Sequence, residues 1–517
     1  MEKEVKNSVT RSKLFLIALC VLAAIPRFVN FQSHLLFLDD QGRDAVVVKR
    51  ILINHDVTLL GPRTSVGDMF LGPLYYYAMV PFLAMTYPNP VGPALAIAIL
   101  GVITTLLVYK LGSEMVGKRA AGVAAVLFTS APWVISLSRF SWQPNPAPFV
   151  GLLLMYFLYR GVKEHKLKWW FAAEMCVVVL LQLHYVALLS GLSFLIVYLF
   201  SELHLARKKA RQFFKNTFIV GAAGFFMLFV SQLPLIAFDL RHDGIIRKGF
   251  SSFSREMSSQ TSHTAIEKMA FFIEDVQGIG MRLMVELLGF SKEQRFVNLL
   301  LLGAVSLASI LVVVQSHHRN RNKEGVLILV SFLVPAIIGL TLYRNNIHEH
   351  YFAYLFPTVF LFVGLLLDRL MSLSKFLIVP VLAIVITGVS YNLLSLPYWK
   401  PSQGMTMNDM KAITEMVLEK NTDLGRYNVS LLNDNREYRA MKYRYFFEVS
   451  SQPPLDEYSY SDLDTLIVIV ENNEQPLDAP IYEIQSFLKE VESAPHTIEK
   501  MSYNDEVVQV YVMKKER

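Results

Sequence analysis

Apolar runs of about 18 to 23 residues, with few charges inside them, recur through the first four-fifths of this chain. A helix of that length spans the hydrocarbon core of a bilayer, which is about 30 Å thick. Composition agrees. Of 517 residues 53% are hydrophobic and 18% charged, whereas a soluble chain averages about a quarter charged. Mean hydropathy is +0.38. A soluble enzyme, a disordered scaffold and an ordinary one-core globule are therefore excluded. Cys20 and Cys176 both sit inside apolar runs, so neither a disulfide framework nor a thiolate metal site is available. The expected class is a polytopic α-helical membrane protein.

Charge is unevenly spread. Residues 401–517 hold 21 acids and 12 bases, a balance of −9, and the first 400 hold 37 bases and 22 acids, a balance of +15. A basic membrane part fits the rule that short cytoplasmic loops are rich in Lys and Arg. Nucleic-acid binding is not expected, because the bases are scattered between the apolar runs.

That rule sets the topology. Basic clusters occur at Lys110/Lys118/Arg119, Arg160/Lys163/Lys166/Lys168, Arg207/Lys208/Lys209/Arg211/Lys215, Arg319/Arg321/Lys323 and Arg369/Lys375. All five are cytoplasmic only if Leu71–Tyr87 does not cross the bilayer, so Phe70–Tyr87 is expected to lie at the outer face. The spans then fall near 14–30, 91–110, 119–137, 147–161, 169–184, 186–202, 217–238, 296–315, 325–343, 351–368 and 375–396. About eleven helices place the amino terminus inside and the carboxyl terminus outside. The membrane domain covers 1–396, with long outer loops near 31–90 and 239–295. Within the second loop, Ile266–Leu288 reads as a partly amphipathic helix. Residues 397–517 are expected to form a small outer α/β accessory domain, not needed for proton transfer. Its strands are expected at 465–470 and 507–512, its helices at 405–420 and 481–492.

The first outer loop opens with Leu38-Asp39-Asp40-Gln41-Gly42-Arg43-Asp44-Ala45 ahead of a helical stretch. Asp40 can be read as a helix cap, with Asp44 in the favourable first turn. It can equally be read as a carboxylate at the membrane surface, where partial desolvation raises its basicity.

Three segments in this order carry a family resemblance. They are Asp40-Gln41-Gly42-Arg43-Asp44-Ala45, then Leu71-Gly72-Pro73-Leu74-Tyr75-Tyr76, then His350-Tyr351-Phe352-Ala353-Tyr354-Leu355-Phe356-Pro357. With the layout of about residues 10–395 they resemble the GT-C superfamily of lipid-linked-sugar glycosyltransferases, in the protein O-mannosyltransferase and lipid A aminoarabinose transferase branch (family 39-like). The resemblance implies two juxtamembrane helices in the first outer loop. It also implies inverting transfer of a sugar from a polyprenyl-phosphate donor to a glycan, lipid or protein acceptor at the outer leaflet. Asp40 would be the general base, Asp39 a second acid, and Arg43 a substrate-binding cation. Two departures stand out. Gln41 occupies the position of the family's second acid, and Ser138–Pro146 lacks the carboxylate that several relatives carry there.

A polyprenyl phosphate leaves as an anion, so its site needs cations or hydrogen-bond donors. The substrate-binding candidates are Arg43, Arg139, His184, Arg344, His348, His350 and Tyr354, with Arg247 and Lys248 also on the outer face. Each has a plainer reading: Arg139 with Trp142 as an interfacial anchor, His184 as a packing histidine, Arg247 and Lys248 as headgroup contacts. His348-Glu349-His350 has the residue types of a metal site, but i,i+2 spacing turns the two rings to different helix faces. No cofactor is expected; a divalent cation is the alternative. A transporter or flippase of lipid-linked sugars is the competing function. It would place ionisable residues at mid-membrane in broken helices, whereas here they gather at one face.

Overall fold

The computed structural model describes residues 2–64, 69–206, 209–259, 274–289, 323–342, 347–471, 479–491, 496–503 and 507–515. The first part of the chain is helical: α1 Glu2–Phe28, α2 Asp39–Lys49, α3 Leu74–Thr86, α4 Val91–Met115, α5 Lys118–Ser130, α6 Pro132–Leu137, α7 Ala147–Glu164, α8 Leu167–Leu183, α9 Leu189–Ala206, α10 Ala210–Arg241 and α11 Ile245–Ser259. Beyond 322 come α12 Lys323–Leu342, a 3-10 turn Glu349–Leu355, α13 Phe356–Leu373 and α14 Ile378–Leu394. The final segment contains α15 Met407–Lys420, β1 Tyr427–Leu432, α16 Met441–Glu448, β2 Thr465–Val470, α17 Tyr482–Val491, β3 His496–Tyr503 and β4 Val508–Lys515.

Among the described residues, six segments are long and apolar enough to cross a membrane: Val91–Met115, Tyr185–Leu203, Ala210–Arg241, Lys323–Leu342, Glu349–Leu373 and Lys375–Leu394. The expected span 119–137 is broken between α5 and α6, where Pro132 opens a new helix. The span expected at 296–315 and the stretch 266–273 lie outside the described residues. Helix α3 has 13 residues, about 20 Å of rise, too short for the hydrocarbon core. Its buried residues Tyr75, Tyr76, Met79 and Leu83 share one face.

The chain divides into two compact units: 1–29, 57–78 and 94–399; then 30–56, 79–93 and 400–517. Close backbone approach at small residues organises the first. Ala120, Ala121, Ala124 and Ala125 of α5 are fully buried, and a Cβ on Gly364 of α13 would stand 2.3 Å from the Ala120 carbonyl oxygen. Gly151 of α7 packs against the Tyr354 backbone with equal closeness. Apolar side chains gain little by leaving lipid, so helix association in a membrane depends on such tight contact.

The second unit holds a four-stranded sheet of order β1-β2-β4-β3. Strands β1 and β2 are parallel, and β4 is antiparallel to both β2 and β3. A parallel pair needs a crossover, and α16 lies in the connection between β1 and β2. Helix α15 is closed by Thr406 and Asp409, each side chain accepting a backbone N–H from the other. The expected strands and helices of this segment all occur. The compact unit does not begin at 397, however. Residues 30–56 and 79–93 also belong to it, and α2 packs directly on α16.

Candidate functional site

Helix α2 begins one residue before the position expected of a cap. Leu38 is extended and caps the helix, and its backbone N–H donates to Gln41 Oε1 at 3.0 Å. Gln41 thus closes the helix start where the resembled family carries an acid. Asp39 and Asp40 both occupy the first turn, where the helix dipole favours negative charge. Asp40 is not the cap.

The two acids meet different surroundings. Asp40 is half-exposed, and its Oδ1 accepts from Arg43 Nη1 at 2.7 Å. Arg43 also holds Asp44 Oδ1, through Nε at 3.1 Å and Nη2 at 2.8 Å, so its guanidinium is committed within the helix. Asp39 turns inward: its Oδ1 is buried and has no hydrogen-bond partner among the described residues. Burial is the main reason its proton affinity rises to about 7, with Glu437, Glu471 and Asp40 adding to the rise and Lys442 opposing it. Adjacent acids in unlike environments are the usual preparation for acid–base work near neutral pH.

Helix α16 sets that environment. A Cβ on Gly42 would lie 2.5 Å from the Lys442 Cα, so only glycine lets the two backbones touch. At the far end of α2, Lys49 Nζ lies 3.4 Å and Arg50 Nη2 2.5 Å from the Glu448 carboxylate, and Arg50 reaches Glu457 at 2.7 Å. The Phe37 ring meets Tyr445 edge-on and Phe446 at a tilt, with centroids 6.2 and 5.7 Å away. Helix α16 starts after Ala440, which holds a left-handed backbone at φ 56, a conformation that costs an alanine roughly 1 kcal/mol. Lys442 Nζ pairs with Glu471 Oε2 at 2.7 Å, and the Tyr443 hydroxyl donates to Glu471 Oε1 at 2.5 Å.

A second group forms in the other compact unit. His184, His350 and Trp142 come from distant parts of the chain, yet the His350 ring centroid lies 4.4 Å from Trp142 and 5.5 Å from His184. Tyr351 adjoins both imidazoles, at 4.5 Å from His184 and 4.7 Å from His350. His184 Nδ1 accepts the Val186 N–H and so caps the turn that follows. The expectation that His348 and His350 diverge fails. His348 is extended, just before the 3-10 turn, and the two rings stack 5.7 Å apart and nearly parallel. Helical angular spacing does not apply to a residue outside the helix. Among the described residues, no group of three or more His, Cys, Asp or Glu is arranged to hold a metal ion.

Two of the remaining candidates, Arg139 and Arg247, have structural duties. Arg139 is 2% exposed. It donates to the carbonyls of Pro26 at 2.7 Å and Val29 at 2.9 Å, and its guanidinium sits 3.9 Å over the Tyr398 ring. It serves the carboxyl end of α1, which a cation stabilises. Tyr354 is buried, and its hydroxyl has no hydrogen-bond partner among the described residues. Arg247 is paired with Asp239 at 2.7 Å, and Asp239 also takes the N–H groups that open α11. Arg344 lies outside the described residues. Sequence reasoning missed Lys442, Glu471 and Tyr443. No signal marks them, since they reach α2 only through the fold.

Fold and composition together define a class: a polytopic α-helical membrane protein. Residues 72–234 match the family described as Dolichyl-phosphate-mannose-protein mannosyltransferase. Two crystal structures of ArnT from Cupriavidus metallidurans, one bound to undecaprenyl phosphate and one apo, are similar over 98% of both chains, at TM-score 0.61 and 12% identity. The Archaeoglobus fulgidus oligosaccharyltransferase structure, a complex with Zn and sulfate, is similar over 88% of this chain and 67% of its own, at TM-score 0.50 and 12% identity. No curated protein sequence matches significantly.

Proposed function

We propose that this protein is an inverting glycosyltransferase that moves a sugar from a polyprenyl-phosphate donor to a glycan, lipid or protein acceptor at the outer face of the cell membrane. The reading rests above all on the acid pair of α2, carried on a chain similar end to end to an ArnT crystallised with undecaprenyl phosphate. In this reading the acceptor hydroxyl gives its proton to Asp40, the half-exposed acid. The acceptor oxygen attacks the anomeric carbon on the face opposite the phosphate. The bond from that carbon to the phosphate oxygen breaks, and the polyprenyl phosphate departs with the electron pair. Asp39 is the second acid. Within the other compact unit, His184, His348 and His350 have the residue types that hydrogen-bond sugar or phosphate oxygens, and Tyr351 and Trp142 those that face a sugar ring. The amino terminus lies in the cytoplasm, and the acidic carboxyl-terminal segment lies outside.

Purified protein offered a panel of undecaprenyl-phosphate sugars with membrane lipid, glycan and peptide acceptors tests this. Release of undecaprenyl phosphate coupled to acceptor modification is the expected result. No acceptor-dependent release across the panel, together with movement of intact lipid-linked sugar between leaflets of proteoliposomes, would favour the flippase reading instead.

A further inference from the structure

Arg27, in the last turn of α1, is 0% exposed. Its Nη1 donates to the Ala23 carbonyl at 2.9 Å, while Nε and Nη2 are buried with no hydrogen-bond partner among the described residues. No acid among those residues pairs with it. An arginine keeps its proton in a protein, and a buried charge needs compensation. A small cavity adjoins this guanidinium. A Cβ on Gly101 of α4 would stand 2.9 Å from Arg27 Nε and 3.1 Å from Ser138 Oγ, and Gly101 and Ser138 are walls of a cavity of about 20 Å³. The bare Cα of Gly101 is what lets guanidinium and cavity share a wall. We propose that Arg27 holds a monovalent halide, chloride in the cell, in this cavity at the carboxyl end of α1.

The helix end by itself does not neutralise Arg27. A helix carboxyl end carries roughly half a negative charge. Two guanidiniums draw on that of α1: Arg27 through Ala23, and Arg139 through the carbonyls of Pro26 and Val29 at 2.7 and 2.9 Å. Half a charge shared by two cations leaves Arg27 cationic in surroundings that screen poorly. Size then selects the anion. The cavity of about 20 Å³ exceeds the roughly 10–15 Å³ that a single water requires, and it is too small for a phosphate or a carboxylate-bearing ligand. Its walls are largely apolar, with Ile97, Leu100, Phe128 and Phe356 among them, which suits a weakly hydrated ion. A water in the same space would answer Asn145 Oδ1, a wall atom with no partner among the described residues. Being neutral, it would leave the charge of Arg27 standing. The bound ion would tie α1 to α4 and to Ser138 after α6, so its loss reads out as lost stability. None of this depends on the glycosyltransferase reading, since neither the acids of α2 nor the imidazoles take part.

The test uses the full-length protein in nanodiscs, melted at fixed ionic strength while chloride or bromide replaces gluconate. The melting midpoint, followed by circular dichroism, should rise by a few degrees with either halide, because a ligand that binds the folded state stabilises it. Crystals grown in bromide should show an anomalous peak within hydrogen-bond reach of Arg27 Nε or Nη2. Arg27→Gln removes the charge and keeps a polar side chain of similar reach. It should abolish both the halide dependence and the peak. If Arg27→Gln does not fold, the wild-type bromide peak decides alone. A midpoint indifferent to halide, or crystals with no bromide at Arg27, overturns the proposal and leaves water as the occupant of the cavity. A halide response that survives in Arg27→Gln overturns it too, because the ion then binds elsewhere.

Discussion

At the residue scale, the two acids of α2 separate by surroundings rather than by type. Asp40 is the accessible one, and a positioned base contributes about 10²- to 10⁴-fold in rate. Asp40→Asn keeps the shape and the Leu38–Gln41 closure, so the variant should fold normally while transfer falls at least about a hundredfold. Arg43→Ala should affect the rate less, and mainly by freeing Asp40 and Asp44 from their shared cation. Radiolabelled donor turnover by the purified variants checks both. If Asp40→Asn stays within a few-fold of wild type while Asp39→Asn is inactive, the inner acid is the base. Asp39 also has a stability signature. Its folded proton affinity lies above the ordinary carboxylate range, at about 7, so the folded state holds the proton more tightly than the unfolded one. That contribution is complete below the unfolded value and is lost as pH rises towards 7. Asp39→Asn should therefore gain thermal stability over wild type as pH climbs from about 4 to 7. A difference in melting temperature that is flat across this range would show that the carboxyl is not buried in solution.

At the scale of elements, α2 and α16 behave as one packed pair. Gly42→Ala drives a methyl into backbone, which cannot rotate away as a side chain can. Overpacking of this kind costs about 1–3 kcal/mol. Glu448→Ala removes the partner of buried Lys49 and one of two partners of Arg50, a loss of roughly 3 kcal/mol for a buried pair. Both variants should lower the thermal midpoint measured by intrinsic fluorescence, and both should slow transfer by loosening α2. A Gly42→Ala protein as stable as wild type would mean that the two backbones do not touch. The sheet shows the same dependence on packing. Strand β1 is fully buried although it carries Asn428 and Ser430, because Asn428 donates to the carbonyls of Asp456 and Ser459 and accepts from buried Arg444. That burial hides β1 from any hydrophobic pattern.

For the whole molecule, the expectation of a dispensable carboxyl-terminal domain changes. Residues 400–517 share a compact unit with α2, so truncation at 397 strips α2 of its packing partner. The truncated protein should insert in the membrane yet lose transfer, by far more than a few-fold. Retention of substantial activity would show that α2 holds its geometry without α16. Orientation is a separate matter, resting on the charge rule. Single cysteines at Asn89 and Ser113 should respond oppositely to an impermeant thiol reagent applied to intact cells, with Asn89 labelled. Labelling of Ser113 from outside would reverse the proposed placement of the basic loops.

The sequence by itself determined the class. Long apolar runs have one stable form in a bilayer, and lysine and arginine report which side their loops favour. The charge pattern along the chain also led to the expectation that Leu71–Tyr87 does not cross the bilayer, and the acids at 39 and 40 are visible as consecutive residues. Only the tertiary structure decided what those acids face. Lys442 and Glu471 lie about four hundred residues from Asp39 along the chain, and no periodicity links them. His184 and His350 likewise meet through packing, and the stacking of His348 on His350 depends on one extended residue before a turn. A buried acid's proton affinity is set by desolvation and by the charges within a few ångströms, and those neighbours exist only once the chain has folded.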